Sequence, residues 1–152
     1  MRILVGSLLS LVLLAVPVSA QKNAVDTLNG IAIGTTLDDA RSLLARIGTG
    51  GGRDTRDGGR KEAWTLKETD FATLAFKTNG AGRVVWISGF VRQAKEIPFD
   101  RLGDLNKAET VTKSQVIWNV GNGRTGYRVV AKGAEGKASV VYLLSLEVPE
   151  IH

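Results

Sequence analysis

Twice in this chain, two strand-like runs rich in apolar residues flank a short glycine-containing turn. The first pair covers residues 71–78 and 83–92, joined by Asn79, Gly80, Ala81 and Gly82. The second covers residues 125–132 and 137–147, joined by 133–136. Alternation with period two marks a strand with one covered face, and a glycine turn between two such runs reads as a hairpin. Two such hairpins commit the chain to an antiparallel sheet. A further strand-like run precedes each hairpin, at 62–67 and 115–120.

Helical spacing is clearest over residues 36–48, where Leu37, Ala40, Leu43, Leu44 and Ile47 share one face. Thr36 is placed to cap the first turn, with Asp39 three positions on as a shortened capping box. Asp38 and Asp39 suit the positive end of the helix dipole. Gly48 reads as the left-handed stop. Residues 98–108 read as a second, weaker helix with Phe99, Leu102 and Leu105 on one face and Gly103 inside it. The glycine-rich stretch 48–60 reads as a loop, because glycine is costly inside a helix or strand.

The order of elements is then αβββ followed by αβββ, with halves at about 31–92 and 97–147. Phe71 and Trp86 are 15 positions apart, as are Tyr127 and Tyr142. Gly80 and Gly136 hold the same place between them, and Trp64 and Trp118 fall in equivalent first strands. The expected fold is α+β, with helices packed on one face of an antiparallel sheet in a tandem αβββ repeat.

Alternation in the second half places Tyr127, Val129, Ala131, Val140, Tyr142, Leu144 and Leu146 on one face. Arg128, Lys132, Ser139, Ser145 and Glu147 lie on the other. The first set is expected to be buried, since an unpaired buried cation is costly. Equivalence of the halves would then bury Phe71, Thr73, Ala75, Trp86, Ser88 and Phe90. It would leave Ala72, Leu74, Phe76, Val85, Ile87 and Val91 as an exposed apolar patch. Contiguous exposed apolar area marks a contact surface. The candidate partner-binding residues are therefore Leu74, Phe76, Val85 and Ile87, with Asn79 and Gly80 at the adjoining hairpin tip. Two alternatives stand beside that reading: residues 21–34 or the glycine-rich loop fold over the patch, or the first half turns the opposite face inward.

The start of the chain has the three parts of a secretory signal. Met1 and Arg2 give a positive start, residues 3–16 an apolar run, and Pro17, Val18, Ser19 and Ala20 a small-residue exit. The run is shorter than the roughly 20 residues of a membrane span. Cleavage is expected after Ala20, leaving residues 21–152 as a single domain with no transmembrane span, in the periplasm or secreted. The chain has no Cys, so it carries neither a lipidated cysteine nor disulfide staples.

Composition narrows the chemistry. Removing Arg2 lowers the net charge from +5 to +4, a mild and scattered excess that does not argue nucleic-acid binding. The single His is the last residue, His152, so a Ser-His-Asp or Cys-His arrangement has no core histidine to use. Zinc sites of the Cys/His kind are excluded on the same count. Of the 15 carboxylates, Asp38 and Asp39 are explained as capping. Asp54 and Asp57 sit in the expected glycine-rich loop, a poor platform for a catalytic acid. That loop follows a helix and lacks the Gly-Lys-Ser/Thr ending of a phosphate cradle. Arg53, Arg56, Arg60 and Lys61 make it locally basic. No cofactor and no metal are implied, and the chain reads as a non-enzyme.

Residues 31–44, Ile-Ala-Ile-Gly-Thr-Thr-Leu-Asp-Asp-Ala-Arg-Ser-Leu-Leu, resemble the I-x-x-G-M-T-x-x-E-V-x-x-L-L signature of SmpA/OmlA-type envelope proteins. The same signature occurs in the related β-lactamase-inhibitor-protein-like fold. Thr35, Asp39 and Ala40 stand where the signature has Met, Glu and Val. Trp64 and residues 71–87 are similar to that family's strand and hairpin, so the likeness spans 31–90. It implies helices on one side of an antiparallel sheet and a binding role in the bacterial cell envelope. The expected function is an exported, non-enzymatic protein-binding module. The alternatives are an inhibitor of a secreted or periplasmic hydrolase and, third, an enzyme working with two carboxylates alone, fixed roughly 5–10 Å apart in a pocket. A homodimer formed through the same patch is a further expectation for the partner.

Overall fold

The computed structural model describes residues 23–122 and 125–147. The expected signal peptide, residues 1–20, lies outside them. The described residues form one α-helix, α1 (Leu37–Ala45), and nine strands in one sheet. The strands are β1 (Gly48–Asp54), β2 (Arg60–Leu66), β3 (Phe71–Thr78), β4 (Val84–Val91), β5 (Ile97–Pro98), β6 (Thr110–Val111), β7 (Gln115–Val120), β8 (Tyr127–Ala134) and β9 (Lys137–Ser145). Their order is β1-β2-β3-β4-β9-β8-β7-β6, with β5 pairing β9, and every pairing is antiparallel. Among the described residues no helix is long and apolar enough to cross a membrane.

Helix α1 starts as the sequence dictates. The Thr36 Oγ1 accepts from the Asp39 N–H at 3.2 Å, and the same hydroxyl donates to the Asp39 carboxylate at 2.7 Å. Ala40 and Leu44 are buried, and Leu37, Leu43 and Ile47 pack against the core. The helix ends at Ala45, before the expected stop, because Gly48 opens β1 instead.

That strand overturns the loop reading of residues 48–60. Gly48, Gly50 and Gly52 lie on one face of β1, opposite Leu66, Trp64 and Glu62. A Cβ on any of the three would lie 1.8–2.3 Å from a β2 carbonyl oxygen. Glycine at every second position lets the edge strand approach β2 closely, which offsets its conformational cost.

The tandem αβββ repeat is also overturned. The architecture is a nine-stranded sheet with one described α-helix, and among the described residues no α-helix in the second half repeats α1. Residues 97–98 form β5, and two 3-10 turns, Phe99–Arg101 and Leu105–Lys107, occupy the expected second helix. Gly103 separates them where backbone contact is close. A Cβ there would meet the Asn23 carbonyl at 2.6 Å and the Trp118 ring at 2.8 Å. The Trp118 Nε1 donates to the Asp104 carbonyl at 2.9 Å, fixing this segment on the sheet.

One side of the sheet, the inner face, carries the core. It holds Trp64, Leu66, Leu74, Phe76, Val84, Ile87, Val116, Trp118, Val129, Ala131, Val141 and Leu143. Ala24, Leu28 and Ile31, helix α1, and Phe99 and Leu102 cover it. In the first half the alternative with the opposite face inward holds, since Leu74, Phe76 and Ile87 are fully buried; of the set expected inside, Phe71, Ala75 and Ser88 are buried as well. In the second half β8 matches expectation, but β9 is reversed. The register sets Leu143 opposite Val129 and Val141 opposite Ala131, so Val140, Tyr142 and Leu144 point the other way. Bulges shift the alternation: β3 and β4 slip between Phe71 and Thr73, and β8 and β9 slip between Lys132 and Gly133.

Candidate functional site: the outer sheet face

The described segments 24–31 and 99–102 and helix α1 pack with the inner-face core, and three cross-strand rows run across the opposite, outer face. The first is Arg53, Lys61, Lys77, Trp86, Leu144, Arg128 and Asn119, each opposite the next in the ladder. The second, Gly51, Ala63, Ala75, Ser88, Tyr142, Val130 and Ile117, carries no charge. The third is Thr49, Thr65, Thr73, Phe90, Val140, Lys132 and Gln115.

The centre is apolar and partly wet. Phe90 is 48 % exposed, and Trp86, Val130, Val140, Tyr142 and Leu144 are half-buried. Ala75 and Ser88 lie beneath this cluster, and Ser88 is 1 % exposed with no hydrogen-bond partner for its Oγ. The Lys61 Nζ sits 5.5 Å from the Trp86 ring centroid, a cation–π distance that joins the charged row to the aromatic centre.

Every charged residue in the three rows is a cation. Lys77 is neutralised from outside the face by Asp57 at 2.7 Å. Hydrogen bonds from Lys77 and then Thr55 hold the Asp57 carboxyl well below the ordinary carboxylate range. Glu109 pairs with Arg128 at 3.6 Å.

A buried polar group on the inner face has a structural role. Glu62 is 1 % exposed, and its carboxylate accepts from Arg41 at 2.6 and 2.9 Å, Arg60 at 2.6 Å and the Trp64 Nε1 at 3.1 Å. Burial pushes its pKa up, but the bonds from Arg41, Arg60 and Trp64 outweigh it, and the net shift is downward. Arg60 also binds Asp54 and the Gly52 carbonyl, so this cluster ties β1 to β2. Its charges are internally paired, as buried ions must be.

The expected binding residues divide between core, turn and groove. Leu74, Phe76 and Ile87 are core and present nothing to a partner. Asn79 is occupied by its own turn, with its Oδ1 accepting from the Ala81 and Arg83 N–H groups at 3.0 Å each. Gly80 is exposed at the tip. Val85 and Asn79 line a groove of about 290 Å³ with Arg83, Ser145 and Glu147. Among the described residues no group of three or more His, Cys, Asp or Glu gathers to hold a metal ion.

The sequence left the choice of outer face open because both faces of the first hairpin read as apolar. One signal could have found it. Lys77 shares parity with Thr73 and Ala75, so burying that set would have buried a lysine as well.

No family model, curated protein or solved structure matches the chain.

Proposed function

We propose that this chain is an exported, non-enzymatic module that binds a protein partner through the outer face of its sheet. The observation that carries the reading is the apolar centre formed by Trp86, Phe90, Val140, Tyr142 and Leu144, which the described core-covering segments leave open. A rigid sheet fixes these side chains before binding, so little ordering entropy is lost on contact. Buried aromatic anchors carry most of the energy of protein interfaces, and three such residues stand together here. The secretory pattern at residues 1–20 and the SmpA/OmlA-type resemblance over 31–90 support an envelope setting.

The test is affinity capture from an envelope extract with the wild-type protein and with Phe90→Asp and Tyr142→Asp variants. Wild type is expected to retain a protein that both variants lose, while all three keep the same far-UV circular dichroism. Recovery of the same proteins by folded variants would end the reading.

A further inference from the structure

The charges on the outer face identify the partner's chemistry, an inference that rests on the reading of that face as the binding surface. We propose that the partner presents an acidic protein surface, with carboxylates beside exposed apolar side chains, to the cations Arg53, Lys61 and Lys132 and the adjoining Trp86, Tyr142 and Phe90.

Arg53, Lys61 and Lys77 sit directly opposite one another on adjacent strands. Like charges in that relation destabilise a sheet. The fold relieves this only in part. Asp57 neutralises Lys77, and Lys61 leans over Trp86. Among the described residues Arg53 has no ion pair, and neither does Lys132 on the far side of the apolar centre. The three rows contain no carboxylate. Adjacent strands are about 4.8 Å apart, so the neighbouring Arg53 and Lys61 match two carboxylates on residues whose Cβ atoms lie roughly 5–6 Å apart, the i, i+4 spacing of an acidic helix face.

The same charges disfavour the other occupants. Two copies stacked face to face would bring cationic rows together or bury them against apolar side chains, both costly. A single-stranded nucleic acid would need cations tracking a whole backbone beside stacked bases. Here the unpaired cations among the described residues are Arg53, Lys61 and Lys132, and Ala63, Ala75, Val130 and Ile117 make most of the middle row aliphatic.

The experiment titrates the purified protein with a random Glu,Tyr copolymer, a Lys,Tyr copolymer and an oligo(dT) strand, at low and moderate salt. The Glu,Tyr copolymer is expected to bind, to weaken at least tenfold as salt rises, and to weaken at least tenfold against a Lys61→Glu, Lys132→Glu double variant that retains its fold. Phe90→Ser is expected to weaken it as well. Equal binding of the Lys,Tyr copolymer, lost in Phe90→Ser, would overturn the acidic partner and leave the binding face intact. Undiminished Glu,Tyr binding by all variants would remove the face itself. Tighter binding of oligo(dT), or no binding of the Glu,Tyr copolymer, would overturn the inference.

Discussion

Lys61 stands opposite Lys77 in the β2–β3 ladder, with its Nζ 5.5 Å from the centroid of the Trp86 ring. The fold thus tolerates a like-charge pair on a solvated face, where a Thr or Glu would suit the sheet better. Lys61→Glu is expected to leave the domain as stable as wild type or up to about 1 kcal/mol more stable in urea at low salt. Added salt should shrink the difference, since it screens exposed charges. A loss beyond about 1 kcal/mol would mean that the Trp86 contact outweighs the repulsion.

Core and face separate cleanly by mutation. Leu74→Ala is expected to cost about 2–5 kcal/mol, because it empties a fully buried site in the core. Phe90→Ser should cost about 1 kcal/mol or less, because half of that ring is already in water. Urea unfolding of both variants checks the assignment. A larger loss from Phe90→Ser than from Leu74→Ala would invert the faces.

Glu62 gives the domain an acid-sensitive joint. Its folded pKa lies below the ordinary value, so between the two values the unfolded chain binds more protons. Stability from this group is fully present above the ordinary glutamate range, near pH 4.3, and is lost as pH falls through the lowered value. Wild type should therefore lose stability below about pH 4 more steeply than Glu62→Gln. Glu62→Ala is expected to cost about 3 kcal/mol at neutral pH, the low end for a broken buried pair, because Arg41 and Arg60 keep access to water. A flat urea midpoint across pH 2–6 in wild type would refute the role.

The glycines of β1 make a position-specific prediction. Gly52→Ala would place a Cβ 1.8 Å from the Lys61 carbonyl oxygen, so the strand must shift, at a cost of about 1–3 kcal/mol. Gly51→Ala points the other way and meets nothing within 4 Å. It should be neutral or stabilising by up to about 1 kcal/mol through lost freedom in the unfolded chain. Equal effects at the two positions would contradict the close approach of β1 to β2.

Local chemistry made part of this fold legible. The Thr36 cap, the spacing of Leu37, Ala40 and Leu44, and the turns at Asn79 and Gly136 act within a few residues, and each appears where its sequence places it. Glu135 and Gly136 both take positive φ, as a two-residue hairpin turn requires. Three features were decided by tertiary contact. Gly48, Gly50 and Gly52 form a strand only because β2 lies against their bare backbone. Residues 98–108 break into two turns because Gly103 must meet Asn23 and Trp118. The choice of face depends on register, and a slipped ladder carries every side chain beyond it to the other side. Alternation told which residues travel together, such as Trp86 with Ser88 and Phe90. Only pairing with β9, and the layer of helix and loop on the far side, decided that this set would face outward.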